Sequence, residues 1–372
     1  MKIKHIEIYP IQIPFSFSID HHLKNRARSS SIVIAVHGSD GNTGFGEGAP
    51  REYVTGESLT EVVDALQEVV PYCIHQSIES VRDIDDLCQA IYARYPLPAM
   101  VGALEIAFLD LLGQEKNCSV SDFFDTAETF PLVYSGVLPH LPTARLKHWM
   151  GVLQKLELTH IKMKVGYDDD FASLTLARQM LGEKVDIRVD ANRAWTFDEA
   201  IGNIQKLEQL NISCVEEPLI AEDIDKLPLL SRKIATPIML DESLCNLEEA
   251  AFYIAHIEAA KLLFNIKISK SGGLRAASKI HNLAQSHQIG CQLGCNVGET
   301  AILSAAGRIF AQTHSVKYLE GSFAPFFMED DIGFQPICFA KKGLGIPLTD
   351  KGLGIKIDMD KLQKYSTHFS IA

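Results

Sequence analysis

Five charged residues recur in this chain at an almost constant interval, each at or near the C-terminal end of a short apolar run. Lys164 closes Ile161-Lys162-Met163-Lys164, Asp190 follows 26 residues later in Val185–Asp190, and Glu216 comes after another 26 in Cys214-Val215-Glu216. Asp241 comes 25 residues further on, and Lys267 a further 26. Stretches with apolar residues at helical spacing, such as Asp198–Leu210 and Gly273–Gln288, fill the gaps. Parallel strands need a crossover of about a dozen residues or more, usually a helix, so this beat predicts consecutive βα units. Lys162 and Lys164 stand two apart and therefore share one face of their strand.

Extending the pattern in both directions gives strands at 132–137, 160–166, 185–191, 213–217, 237–242, 262–268, 288–294 and 315–320. Each is short and apolar, as expected where both faces are covered. Eight such strands in about 190 residues predict an α/β fold, a (β/α)7β-type TIM barrel, with a doubly wound open sheet as the rival. No Gly-x-Gly-x-x-Gly follows a strand, which counts against dinucleotide binding. Residues 1–127 read differently. A β-meander (3–14, 31–36, 43–48) precedes helical patterns after Ser58 and over Pro98–Gly113, which predicts an α+β domain, the cap. The barrel is then expected over 128–321. Residues 322–372, with short strands near 336–340 and 352–357, are expected to return to the cap.

The formal charge of −12 is spread without a basic tract, which argues against nucleic acid and membrane surfaces as partners. No apolar run approaches the roughly 20 residues of a bilayer span, and the first residues lack the features of a signal peptide. Eight scattered cysteines without metal-type or redox pairing predict reduced thiols in a cytoplasmic protein. Homo-oligomerisation is left open.

In a βα barrel the C-terminal strand ends form one rim, where active sites are built. The beat therefore gathers Lys164, Asp190, Glu216, Asp241 and Lys267 on one mouth. Three converging carboxylates repel unless a cation sits among them, and hard oxygen donors without His or Cys suit Mg²⁺. The lysines fall on opposite flanks of such a site. Lys162 beside Lys164 is expected to depress its pKa, fitting Lys164 as a base. Two proton-transfer groups facing each other across a metal-bound carboxylate suit removal and return of the proton on the adjacent carbon.

With Lys-x-Lys on the second barrel strand, then Asp190-Ala191-Asn192, Val215-Glu216-Glu217-Pro218, Asp241-Glu242-Ser243, Asn265-Ile266-Lys267 and Gly272-Gly273, the chain resembles the enolase superfamily over nearly its whole length. Specifically, it resembles the muconate lactonizing enzyme subgroup. The resemblance implies Asp190, Glu216 and Asp241 as Mg²⁺ ligands and Lys164 and Lys267 as the acid/base pair. Lys162 would tune Lys164 or touch the carboxylate of a small-molecule substrate. It implies abstraction of the proton α to a carboxylate through an enediolate, with racemisation or epimerisation of an amino acid derivative or dipeptide as the expected outcome. Muconate-type cycloisomerisation and o-succinylbenzoate synthase-like elimination are the alternatives, and a non-catalytic barrel is opposed by the intact lysines and carboxylates.

Four further residues are expected near the substrate. Glu320, 53 residues after Lys267, falls on the same rim. The dipeptide epimerases that this chain resembles carry Asp-x-Asp there to hold the substrate ammonium, whereas this chain has Glu320-x-Ser322, which argues against an Ala-Glu type epimerase. Asn192 falls near the metal mouth, where a turn-forming role fits the sequence equally. Arg26 and Arg51, on polar stretches of the cap with Asp20, His21 and His22, are of the type that clamps a distal carboxylate. Glu217 and Glu242 are expected to turn away from the metal, and Cys295, Asn296 and Glu299 to lie by the pocket or a helix start.

Overall fold

The computed structural model of the protein describes residues 2–19, 26–124, 126, 128–366 and 369–371. The N-terminal strands are β1 (Ile3–Ile11), β2 (Pro14–Ile19), β3 (Arg26–Arg28), β4 (Ser31–Gly38) and β5 (Thr43–Gly48). The barrel strands are β6 (Gly136–Leu138), β7 (His160–Lys164), β8 (Asp186–Asp190), β9 (Ile212–Glu216), β10 (Ile238–Leu240), β11 (Leu262–Ile266), β12 (Gly290–Leu293) and β13 (Tyr318–Leu319), and the chain ends with β14 (Phe369–Ile371).

Strands β6 to β13 pair in chain order as one parallel sheet. It curls until a single bridge, Tyr134 to Leu319, joins its two edges, where the Ser135 amide donates to the Leu319 carbonyl at 2.7 Å. The expected eight-stranded barrel is therefore present. Its first and last strands are shorter than the sequence suggests, because they flank this seam and have a full partner on one side only. Seven strands are followed by helices before the C-terminal segment leaves the barrel.

The cap holds an antiparallel sheet in the order β14-β1-β4-β5, so the last strand pairs with the first. In the polar stretch after Pro14, β2 and β3 pair antiparallel. Asp20, His21, His22 and the side chain of Arg26 lie outside the described residues. The strands expected at 336–340 and 352–357 reduce to isolated bridges, Phe339–Gly345 and Gly333–Ile357, since no neighbouring strand offers a continuous ladder. All eight cysteines are free thiols. Among the described residues no helix is long and apolar enough to cross a membrane.

The helix Pro98–Lys116 joins cap to barrel and is buried from Pro98 to Gly113. It lies against β5 because Gly44, Gly46 and Gly48 remove every side chain from the facing side. A Cβ on each would collide with the carbonyl of Ala107, Ala103 and Ala99 in turn. The match is geometric: four helix residues rise about 6 Å and two strand residues about 6.7 Å. On the other side, both carboxylate oxygens of Glu105 accept from the Arg275 amide at 3.2 Å, holding the first turn of the barrel helix Leu274–Ser286. Asp110 accepts from the amides of Phe45 and Leu353, each at 2.8 Å.

Two outcomes follow from this joint. Gly46→Ala should lower stability by about 1–3 kcal/mol through backbone overlap; a wild-type urea midpoint would refute the close packing. Burial pushes the Glu105 carboxyl up to about 8 from 4.5. The folded state thus keeps a proton that the unfolded chain loses, so this contribution is full below about pH 4.5 and is lost as pH rises through 8. Glu105→Gln should flatten the fall in melting temperature between pH 5 and 8, and an unchanged slope would count against it.

Candidate active site

At the C-terminal mouth of the barrel, Lys164, Asp190 and Glu216 are the last residues of adjacent strands, with Lys164 paired to Asp190 and Asp190 to Glu216 in the ladder. Asp241 and Lys267 come directly after β10 and β11. Glu216 is fully buried, while Asp190 and Asp241 are 1% and 2% exposed. Such burial is tolerable only with compensating charge. Lys164 Nζ donates to Asp190 Oδ2 at 2.7 Å and also to Asn192 Oδ1. Lys267 Nζ donates to Asp241 Oδ2 at 2.5 Å. Lys162 Nζ lies 3.3 Å from both Asp190 and Glu216 and 2.9 Å from Glu320.

The electrostatics follow from these contacts. Burial alone would raise the Asp190 carboxyl, but the Lys164 and Lys162 ammoniums hold it at about 2. Asp241 is likewise driven down, against burial, by Lys267 and Lys270. Glu216 goes the other way, to about 8, through burial and the charges of Asp190 and Asp241. Burial would lower Lys162, yet Glu216, Glu320 and Asp190 raise it well above an ordinary lysine. Lys162 is thus a cation bound by carboxylates.

Sequence reasoning missed several members. Arg188, fully buried, donates to Glu320 Oε1 at 2.5 Å and lies 4.6 Å over the Tyr318 ring. It stands two residues before Asp190, so strand alternation already placed it on the interior face. Lys270 donates to Asp241 Oδ1 at 2.9 Å and to the Asp241 carbonyl at 2.6 Å. Asn265 Nδ2 donates to Glu216 Oε1 at 2.7 Å. Lys270 carried no periodic signal, because it sits in the short helix Ile268–Ser271 that follows β11.

Glu217, with a left-handed φ of 39°, turns from the cluster and accepts from the amides of Asp241 and Ser243 at 2.7 and 2.8 Å. It thereby fixes the loop that carries Asp241. Glu242 corrects an expectation: it lies on the cavity, within 3.4 Å of Asn192 Nδ2, because Asp241 begins a turn and strand alternation no longer applies. Arg51 is a second correction. It is 3% exposed, does not line the cavity and donates to the carbonyls of Ser30, Pro50 and Val297. Its guanidinium ties the cap to the loop after β12. Cys295, Asn296 and Glu299 do line the cavity.

The donor set fits a hard divalent cation: three buried carboxylates at one mouth, with neither imidazole nor thiol among them. Lys162 lies between Asp190 and Glu216, while Lys164 and Lys267 each pair with one flanking carboxylate.

Residues 147–361 match the family described as Enolase C-terminal domain-like, so this barrel belongs to that family of enzymes. Within it, the chain is 30% identical to an N-succinyl-L-Arg/Lys racemase of Bacillus cereus over 98% of both chains. It is 26% identical to a hydrophobic dipeptide epimerase of Enterococcus faecalis, over 85% of this chain and 89% of that one. The crystal structure of the N-succinyl Arg/Lys racemase superposes on all of both chains with a TM-score of 0.89 at 27% identity. The Enterococcus faecalis dipeptide epimerase, complexed with Mg and L-Leu-L-Tyr, gives 0.87 at 25% identity, covering 96% of this chain and 100% of that one.

Glu320→Ala would leave Arg188 buried beside Lys162 without its carboxylate. A loss of about 3–5 kcal/mol is expected by chemical denaturation, and wild-type stability would show that Arg188 has another counter-charge.

Proposed function

We propose that this protein is a Mg²⁺-dependent racemase of N-acylated amino acids, working by proton exchange at the carbon next to the substrate carboxylate. The observation that carries the reading is the pairing of Lys164 and Lys267 with Asp190 and Asp241 across one mouth, Glu216 lying between these carboxylates in the barrel order. Asp190, Glu216 and Asp241 would hold the metal, which supplies positive charge against the negative charge that develops on the substrate carboxylate. Lys164 takes the α-proton from one face of the substrate. Lys267 delivers a proton to the opposite face, and the roles exchange for the other enantiomer. Lys162, anchored by Glu320, stays protonated and holds positive charge at the floor of the site. Asn192 accepts from Lys164 and orients it.

Glu320 and Ser322 favour an acylated nitrogen. The Glu320 carboxylate is already shared by Lys162 and Arg188, and the Ser322 hydroxyl accepts from Arg308 Nη2 at 3.1 Å. This strand end therefore offers no spare carboxylate for a free α-ammonium, which suits a blocked, uncharged nitrogen better than a dipeptide. The likeness to an N-succinyl-L-Arg/Lys racemase supports the same choice.

The test is α-hydrogen exchange in heavy water, followed by proton NMR on both enantiomers of N-succinyl-arginine, N-succinyl-lysine and N-acetylmethionine. Exchange should require added Mg²⁺ and stop with chelator. Lys164→Ala and Lys267→Ala should each lower kcat by roughly 10²–10⁴-fold. Exchange that survives the double variant would sink the two-base reading; exchange indifferent to chelator would sink the metal.

A further inference from the structure

The cavity extends well beyond the groups needed for proton transfer. From Lys164 and Lys267 it continues past Ser322 into the seam between β13 and β6, as one space of about 240 Å³. One wall of this extension is the first barrel helix, Thr143–Lys155. Its buried stripe of Leu146, Met150 and Leu153 belongs to the core. A second stripe, Trp149 and Val152 with Leu156 just past the helix end, follows i, i+3, i+7 spacing and is left half-buried on the cavity.

The facing wall comes from the C-terminal segment. Phe339 packs 5.5 Å from Phe326 and 6.2 Å from Phe323, and is backed by a stack on Tyr134 at 5.2 Å between ring centroids. Rings interlocked in this way make a fixed wall rather than a collapsible one. Apolar concave surface of this kind gains free energy when an apolar group displaces its water. The space is continuous with the mouth that carries the lysines and opens beside Glu320 and Ser322, so its occupant is part of the molecule held there.

We infer that this lobe takes a large apolar substituent of the substrate, aromatic or long aliphatic, carried on the acyl nitrogen or on the α-carbon. The inference rests on the proposed reaction only in placing the substrate carboxylate at the barrel mouth. It adds a specificity element built from Trp149, Val152, Leu156 and three phenylalanines.

Binding can be read without turnover, since Trp149 is one of only two tryptophans in the chain. Wild-type protein with Mg²⁺ is titrated with N-acetylalanine, N-benzoylalanine and N-acetylphenylalanine while tryptophan fluorescence is followed. If the acyl group enters the lobe, N-benzoylalanine should bind about tenfold or more tighter than N-acetylalanine; if the side chain does, N-acetylphenylalanine should. The fluorescence change should vanish in Trp149→Phe, and Val152→Phe or Leu156→Trp, which fill the lobe, should erase the preference. Equal affinity for all three ligands, or a preference that survives both filling variants, overturns the inference. An apolar preference without any α-hydrogen exchange would keep the lobe and overturn the proposed reaction instead.

Discussion

Desolvation of charge is the constraint on which this molecule depends. Four carboxylates, Asp190, Glu216, Asp241 and Glu320, are buried at or below the barrel mouth, and each ionised group taken from water without a partner would cost several kcal/mol. Compensation runs as two chains of contacts. Arg188 meets Glu320, Glu320 meets Lys162, and Lys162 reaches Glu216 and Asp190, which in turn holds Lys164. Separately, Lys267 and Lys270 share Asp241. The positions of these side chains are mutually set, since moving one exposes the charge of its neighbour to an apolar interior.

That coupling sorts the cluster by exposure. Arg188, Glu320 and Lys162 are almost wholly covered, whereas Lys164 and Lys267 have side chains 23% and 12% exposed. The backbone bears strain at the same place. Asn192, Arg193, Glu217 and Ser322 all have left-handed φ without being glycine, and all lie in the loops that leave β8, β9 and β13. Such conformations cost about 1–3 kcal/mol each and persist where the surrounding structure over-determines them. Here Glu217 shows the return: its turn lets one carboxylate bind two amides of the loop that carries Asp241.

The cap contributes through backbone contact more than through reaching side chains. Glycines on β5 admit the helix Pro98–Lys116, and the buried carboxyl of Glu105 fastens that helix to the barrel. Glu47 does the same at another helix start, accepting from the Thr300 and Leu303 amides at 3.1 Å. Arg51, a side chain of the type that grips a ligand, serves this framework too. The cavity itself is lined by the barrel's seam and the C-terminal segment as well as by Tyr53 and Val54 of the cap.

Much of this was legible in the linear chain. The 26-residue beat determined the βα units, the shared rim and the identity of its five charged residues, because strand alternation and crossover length are local rules. The same alternation pointed inward with Arg188. Tertiary structure alone decided how charges were shared: that Lys162 answers to Glu216 and Glu320, residues 54 and 158 positions away, that Lys270 reaches Asp241, and that Arg51 is spent on carbonyls. It also decided the seam, where β6 and β13, distant in sequence, meet at one bridge and leave an apolar space. Periodicity tells which face a residue is on; what it touches there depends on how the sheet closes, and closure is a property of the whole barrel.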